Sequence, residues 1–316
     1  MLDYNIAYSM GSIGCICEDM LASRQTLLEG FPFLTAVERG FLPDTDNKSK
    51  KLYDFQLVER ALKAHGLERF LPSLVDVIVF DAIIGNSDRH QENWGFIFHN
   101  DELQRRFTGQ KAVDLASAAV MPLMPLPPTN WRSQLMGGFT AEGKGFKQLV
   151  STFRKMLGSV QATLILDDDT FDFASTRQAG ESTTSFTPIY DSGCSLGREL
   201  TNEKVEQMLR DPTQFESYVR RGKAEVHWRN EKIAHEPLLT NLAASYGAPI
   251  RKRLSDAKAL YSQEQIRGLL ASTEALIPQG QEFDHYRLTP ARQEFMFKLI
   301  DTRVLSLCKL FLNSPI

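Results

Sequence analysis

The sequence predicts a mainly helical α+β fold that begins with a short β-ribbon and contains a long insertion. Three observations support this prediction. Two short runs of β-branched and aromatic residues open the chain, apolar residues recur at helical spacing over residues 53–84 and 202–312, and residues 100–185 are rich in Pro, Gly and polar residues. With 42% hydrophobic and 24% charged residues among 316, the chain has a globular composition and can bury a sizeable core.

Composition and charge also exclude several function classes. A net charge of −3 gives no electrostatic reason to expect nucleic-acid binding. The start of the chain lacks the pattern of a signal peptide, and the apolar stretch 71–84 is too short to span a bilayer and carries Asp76 and Asp81. Four cysteines do not make a disulfide framework, and we expect Cys15 and Cys17 to be buried thiols. We therefore expect a cytoplasmic protein that contacts neither membrane nor nucleic acid directly.

The first elements follow from short-range patterns. Residues 4–8 and 12–17 are separated by a Ser-Met-Gly turn and predict a two-stranded ribbon. Residues 18–30 lose the strand alternation and predict a helix or helical turn that ends near Gly30. Apolar residues at helical spacing then predict helices over 53–64 and 68–84.

The remaining elements lie on both sides of the insertion. The aromatic run 94–98 predicts a strand after a loop, and residues 188–191 predict a second brief strand. Six helices are predicted in the C-terminal part, at residues 202–210, 213–221, 235–245, 250–260, 263–275 and 290–312.

The segment GNSDRHQENW at 85–94 has the residue types that phosphoryl transfer needs. That reaction requires a carboxylate to orient the attacking hydroxyl and oxygen ligands to hold magnesium against the phosphates. Asp88 followed five residues later by Asn93 supplies both from one tight loop. Asp191 follows an apolar run and precedes Ser-Gly, so it can supply the second magnesium ligand. The spacing Asp-x4-Asn matches the kinase catalytic loop, and Tyr-Asp-Ser-Gly has the form of the metal-binding Asp-Phe-Gly motif.

Together, "IIGNSDRHQENWGFI" and "TPIYDSGCSLG" resemble the C-terminal domain of HipA-like serine/threonine kinases, relatives of the lipid-kinase branch. The resemblance implies the large C-lobe of a protein kinase-like fold, with ATP and Mg²⁺ as cofactors and a protein substrate. It makes Asp88 the catalytic base and His90 a structural or phosphate-facing residue of the catalytic loop. Asn93 and Asp191 become the residues that bind the magnesium and, through it, the nucleotide.

The resemblance extends over about two-thirds of the chain and implies its domain organisation. Kinases of this family begin with a small lobe that carries a phosphate-covering loop and a strand Lys, whereas here no Lys precedes Lys48. We therefore expect a separate N-lobe polypeptide or an antitoxin-like protein as partner. The predicted divisions are an N-lobe or hinge remnant at 1–30, the catalytic-loop part of the C-lobe at 31–99, the insertion at 100–185, and the metal-binding segment with the helical C-lobe at 186–316.

Three functions remain open at this point. The first is a HipA-like serine/threonine protein kinase, or the catalytic-loop-bearing subunit of a split kinase. The second is a catalytically impaired pseudokinase that acts as a binding or regulatory module, and the third is a phosphoinositide-type lipid kinase. Residues 138–145 nearly fit the P-loop pattern, but Gly145 stands where the Ser or Thr should be, so we interpret them as a flexible loop.

Overall fold

The structure is a computed structural model that describes residues 4–9, 12–43, 48–99 and 184–312. It divides into two compact units. The first falls within Met1–Met20, Phe41–Trp94 and Pro188–Ile316, and the second within Leu21–Gly40 and Gly95–Thr187. The predicted divisions at residues 30, 99 and 185 stay predictions, and the near-P-loop at 138–145 lies outside the described residues.

Two small antiparallel sheets and a larger set of helices make up the described structure, which confirms the mainly helical α+β prediction. Strands β1 and β2 form the predicted ribbon, and β3, β4 and β5 form a sheet in that order. The strands are β1 Tyr4–Ser9, β2 Ser12–Cys17, β3 Gln25–Glu29, β4 Gly95–His99 and β5 Ser185–Phe186. The helices are α1 Gly30–Val37, α2 Phe55–Ala64, α3 Leu71–Ile84, α4 Asn202–Arg210, α5 Pro212–Arg221, α6 His235–Leu260, α7 Gln263–Ala275 and α8 Pro290–Leu312.

Helix α3 is the central element of the first unit. It is apolar on nearly every face, as expected for a helix that is surrounded by others, and it packs against α6 and α8. Leu74, Val75 and Val79 have no accessible surface. Burying an aliphatic side chain of this size contributes about 1.5–3 kcal/mol, so α3 fixes the position of whatever follows its last residue.

Arg303 of α8 anchors the C-terminal end of α3. Its Nη1 donates to the Ala82 carbonyl at 3.0 Å and its Nη2 to the Val219 carbonyl at 3.1 Å. Gly85 ends α3 in the left-handed conformation at φ 69°, and a Cβ atom there would lie 3.2 Å from the guanidinium. A Cβ on Gly222 would come within 2.4 Å of the same group. Small residues at both places leave room for the buried cation.

The second unit corrects the helix predicted over residues 18–30. Residues 25–29 form strand β3 instead, and α1 begins at Gly30 where the predicted helix should end. These residues form a strand because alternate side chains point to the same face, and here Thr26 and Leu28 are buried while their neighbours are half-buried. Strand β4 lies so close that a Cβ on Gly95 would sit 2.4 Å from the Leu28 carbonyl oxygen.

The prediction of a strand at residues 188–191 is also wrong. The strand that exists there, β5, ends at Phe186 and pairs Phe186 with Phe96 and Ser185 with Ile97. Residues 187–191 are irregular. A side chain binds the carbonyls of Tyr190 and Asp191, so these groups do not take part in a sheet.

The helices of the C-terminal part were predicted within a few residues of their bounds. One difference is that 235–245 and 250–260 form a single helix, α6, bent at Tyr246. Pro249 explains the bend, because its ring cannot accept the geometry of the preceding turn and it has no N–H to donate to the Ser245 carbonyl. In the part of the chain that the structure covers, no helix is both long and apolar enough to cross a membrane. Cys15 is exposed and Cys17 is half-buried, so the expectation of two buried thiols is wrong.

Candidate functional site

The loop at 86–94 starts at the left-handed Gly85 and is shaped first by Asn86. This side chain is 1% exposed. Its Nδ2 donates to Asp81 Oδ1 at 2.9 Å, and its Oδ1 accepts from the Asp88 backbone N–H at 3.2 Å. The asparagine thus ties the start of the loop to the last turns of α3. Asp88 follows two residues later, with a half-buried side chain.

Arg89 is the residue that joins the loop to α3. Its guanidinium is 2% exposed and makes two parallel hydrogen bonds with Asp81, Nε to Oδ2 and Nη2 to Oδ1, both at 2.9 Å. Burial by itself would lower the pKa of Arg89, but the hydrogen bonds and charge of Asp81 raise this pKa above its ordinary value. The arginine is therefore a fully charged, fixed scaffold for the loop. Its contacts are those of a structural residue and not of a substrate contact.

The same guanidinium reaches the segment that contains Asp191. Nη1 donates to the Tyr190 carbonyl at 2.5 Å and approaches the Asp191 carbonyl at 3.5 Å, while Nη2 donates to Ser192 Oγ at 3.0 Å. We refer to this set of contacts as the Arg89 clamp. It connects positions about a hundred residues apart in the chain. Two backbone hydrogen bonds support it, from Ser87 N–H to the Cys194 carbonyl at 3.3 Å and from Leu196 N–H to the Ile84 carbonyl at 3.0 Å.

Asn93 closes the loop on Asp88. The asparagine is 5% exposed, its Nδ2 donates to the Asp88 carbonyl at 2.8 Å, and its backbone carbonyl accepts from Arg89 Nη1 at 3.0 Å. No residue in the described ranges donates a hydrogen bond to Asn93 Oδ1. That oxygen therefore remains available as an acceptor.

Asp191 is exposed and has the left-handed backbone conformation, at φ 47°. A non-glycine residue in this region stores strain that the surrounding contacts must hold, and such residues are frequent at functional sites. Asp191 shares a neighbour with Asp88, the half-buried thiol of Cys194. The pKa of this thiol is raised first by a hydrogen bond with Asp88, then by burial, and also by the charges of Asp88 and Asp191. The charges of both carboxylates therefore contribute to the raised pKa of the same thiol.

His90 is oriented by Glu92. Its Nδ1 lies 3.3 Å from the Glu92 backbone N–H and 3.6 Å from Glu92 Oε2. The ring is half-buried, and these contacts hold it on the side of the loop formed by residues 90–92.

Two aromatic hydroxyls complete the support of the loop, and sequence reasoning missed their role. The Tyr53 hydroxyl donates to the Arg89 carbonyl at 3.0 Å and accepts from Trp94 Nε1 at 2.8 Å. Burial raises the pKa of Tyr53, so the phenol stays protonated. The Tyr190 hydroxyl donates to the Glu92 carbonyl at 2.8 Å. In the sequence, only the presence of Asp81 in an otherwise apolar helix signalled that a buried cation had to lie nearby.

The donor set can be compared with the needs of a divalent cation. Across the described ranges, no three His, Cys, Asp or Glu side chains gather in the manner of a metal-binding cluster. Asn93 Oδ1 and the Asp191 carboxylate offer hard oxygen ligands from two chain segments that the clamp holds together. Magnesium commonly takes one or two protein oxygens and completes its shell with water and phosphate, so these residues fit magnesium better than a cage-bound metal.

Comparison with known proteins gives a structural relationship but no relationship in sequence. No protein-family model matches the chain, and no curated protein sequence matches it significantly. Among solved structures, the chain is similar to the crystal structure of the proinflammatory kinase CtkA from Helicobacter pylori, with a TM-score of 0.56 and 13% identity. The alignment covers 100% of this chain and 78% of that one. At this identity the similarity establishes the fold, and the prediction of a protein kinase-like fold is confirmed.

Proposed function

We propose that this chain is an ATP- and Mg²⁺-dependent serine/threonine protein kinase of the HipA-like type. The observation that supports the proposal most directly is the Arg89 clamp. The buried Arg89 side chain joins the loop of Asp88 and Asn93 to the backbone next to Asp191. Because of this connection, three residues that are distant in sequence can take part in one reaction. The kinase-like fold is consistent with this use of the site.

In the proposed reaction, Asp88 orients the hydroxyl of the protein substrate. The hydroxyl oxygen forms a bond to the γ-phosphorus of ATP while the bond from that phosphorus to the β-bridging oxygen breaks, which yields a phosphorylated residue and ADP. The hydroxyl proton passes to the Asp88 carboxylate. Asn93 and Asp191 are the residues that would hold magnesium, which when bound neutralises the charge of the phosphates.

Phosphate transfer provides the direct test. The chain is incubated with radiolabelled ATP, magnesium and a mixture of cellular proteins, and Asp88→Ala is compared with Asp256→Ala, which removes an exposed carboxylate that pairs with Lys252. We expect Asp88→Ala to lower transfer by about 10²–10⁴-fold, the usual contribution of a general base, and Asp256→Ala to leave it unchanged. Equal transfer by Asp88→Ala and the unaltered chain would overturn the assignment of Asp88 as the base.

A second candidate, a pseudokinase that binds nucleotide without turnover, is favoured by one contact. The carboxylate of Asp88 raises the pKa of the neighbouring Cys194 thiol, and a thiol that stays protonated competes with the substrate hydroxyl for this carboxylate. Thermal denaturation with ATP and magnesium separates the two, because a ligand that binds only the folded state raises the unfolding temperature whether or not transfer follows. Stabilisation without transfer would favour the pseudokinase. Transfer to phosphoinositide instead of protein would point to the lipid kinase considered above.

A further inference from the structure

A cavity of about 200 Å³ lies beside Asp88, within the first unit. Its walls come from the loop itself, from the chain leading into α2, and from the segment that follows α5. The lining residues are Pro43, Lys50, Tyr53, Asp88, His90, Gln91, Glu92 and Glu225. A space of this size holds a single side chain, and it is too small for a nucleotide.

Gln91 gives the cavity a property that its shape alone does not show. The side chain lines the cavity and is 6% exposed, yet its amide makes no hydrogen bond to any residue in the covered ranges. In the described part of the chain, the buried polar side-chain atoms that lack a partner belong to His235 and Arg303, so the amide atoms of Gln91 open into the cavity instead. They are available to hydrogen-bond a polar or charged group that enters it.

The charge of the residues that line the cavity indicates which kind of ligand the cavity can bind. Three carboxylates, those of Asp88, Glu92 and Glu225, face two basic groups, the exposed Lys50 and the half-buried His90. Lys232 pairs with Glu225 from outside the cavity and offsets part of this charge. The carboxylate of Glu92 has the His90 ring as its charged neighbour, with Nδ1 3.6 Å from Oε2. The net charge of these residues is negative, so the lining attracts cations and repels phosphate groups.

We propose that this cavity binds an arginine or lysine side chain of the protein substrate, close in sequence to the hydroxyl that is phosphorylated. The inference rests on the proposed function, because Asp88 both lines the cavity and orients the hydroxyl. A cation in the cavity donates to Gln91 Oε1 and to the carboxylates of Glu92 and Glu225. Because Asp88 belongs to both sites, the cationic residue lies within a few residues of the phosphorylated serine or threonine.

Peptide binding tests the proposal without requiring turnover. Two fluorescent peptide pools are compared by anisotropy, each with a central serine. One pool carries arginine at the flanking positions in turn, and the other carries citrulline, which has the same shape without the charge. We expect the arginine pool to bind the unaltered chain about tenfold more tightly at low salt, with the advantage falling as salt is added. We expect Glu92→Gln and Gln91→Leu each to remove most of this difference.

Glu206→Gln serves as the matched control, because Glu206 is an exposed carboxylate of α4 that pairs with Arg210 and takes no part in the cavity. It should keep the tenfold preference. Equal binding of both pools, absence of binding, or a preference that Glu92→Gln and Gln91→Leu leave intact would each overturn the cation pocket. Phosphate transfer is measured on the same peptides. Phosphate transfer without preferential binding of the arginine pool would contradict the cation pocket alone. Preferential binding of the arginine pool without phosphate transfer would contradict the kinase assignment and support the pocket.

Discussion

The Arg89 clamp predicts a large and specific loss of stability when its charge pair is broken. In Arg89→Ala, the carboxylate of Asp81, which is 3% exposed, loses both hydrogen bonds from the guanidinium and keeps only the one from Asn86. Breaking a buried ion pair by removing one partner typically costs about 3–5 kcal/mol, because the other charge remains buried without compensation. We expect the free energy of unfolding of Arg89→Ala to fall by an amount in that range.

The double variant separates the clamp from simple loss of packing. Removing both charges in Asp81→Leu with Arg89→Met leaves no uncompensated ion, so its cost should be smaller than the sum of the single variants Asp81→Leu and Arg89→Met by about 3 kcal/mol. Arg89→Lys is not conservative here. A lysine has one charged nitrogen, which cannot reach Asp81, Tyr190 and Ser192 together, so we expect about half the loss seen in Arg89→Ala.

Urea unfolding followed by tryptophan fluorescence measures these differences, because Trp94 is 1% exposed and hydrogen-bonded to Tyr53 next to the clamp. The control is the exposed pair Lys252 and Asp256, whose side chains are 79% and 47% exposed. Lys252→Ala should cost no more than about 0.5 kcal/mol. The reasoning is refuted if Arg89→Ala costs no more than this control, or if the single losses simply add in the double variant.

Three further results are expected. The pKa of His235 is lowered to about 3, first by burial and then by Arg303, so its neutral form stabilises the fold above pH 6.5. Acidification to about pH 5 should therefore lower the free energy of unfolding by about 2 kcal/mol. This loss should be absent in His235→Asn and should remain in His285→Asn, a control at an exposed site. Gly222→Ala should cost about 1–3 kcal/mol in the same urea assay, because its Cβ would lie 2.4 Å from Arg303, whereas Gly268→Ala meets nothing within 4 Å and should not destabilise. Asp88 raises the pKa of Cys194, so iodoacetamide should modify this thiol several-fold faster in Asp88→Asn than in the unaltered chain, as measured by mass spectrometry of the peptide. An unchanged rate would contradict the effect of Asp88 on the pKa of Cys194.

Much of the fold could be predicted from the sequence because its helices are long and periodic. Residues 202–312 repeat apolar positions over several turns, and the observed bounds of α4, α7 and α8 agree with the predicted ones. The misassigned segments are short. The five residues of β3 fit the helical period of 3.6 as well as the strand period of two. The two residues of β5 form a strand only because Phe96 and Ile97 of β4 lie beside them.

The candidate site was predictable only in the residues whose type and spacing suit its chemistry. Asp88, Asn93 and Asp191 stand out because their spacing and neighbours suit phosphoryl transfer, and their roles stay predictions. Arg89 carries no comparable signal, since its partners are a carboxylate in α3 and carbonyls a hundred residues further along. The burial of Gln91 is equally invisible in the sequence, because it depends on how the cavity wall closes around residues 90–92.

The anchoring of α3 by Arg303 has a consequence for biosynthesis. The arginine binds the carbonyl of Ala82, which the ribosome adds to the chain 221 residues earlier. Until α8 emerges from the exit tunnel, the turn at Gly85 lacks this support, and the loop that follows it is held to α3 only by its own contacts with Asp81. A nascent chain therefore carries the candidate site residues before this end of α3 is anchored, and translation that stops before α8 should release a product with a less stable candidate site.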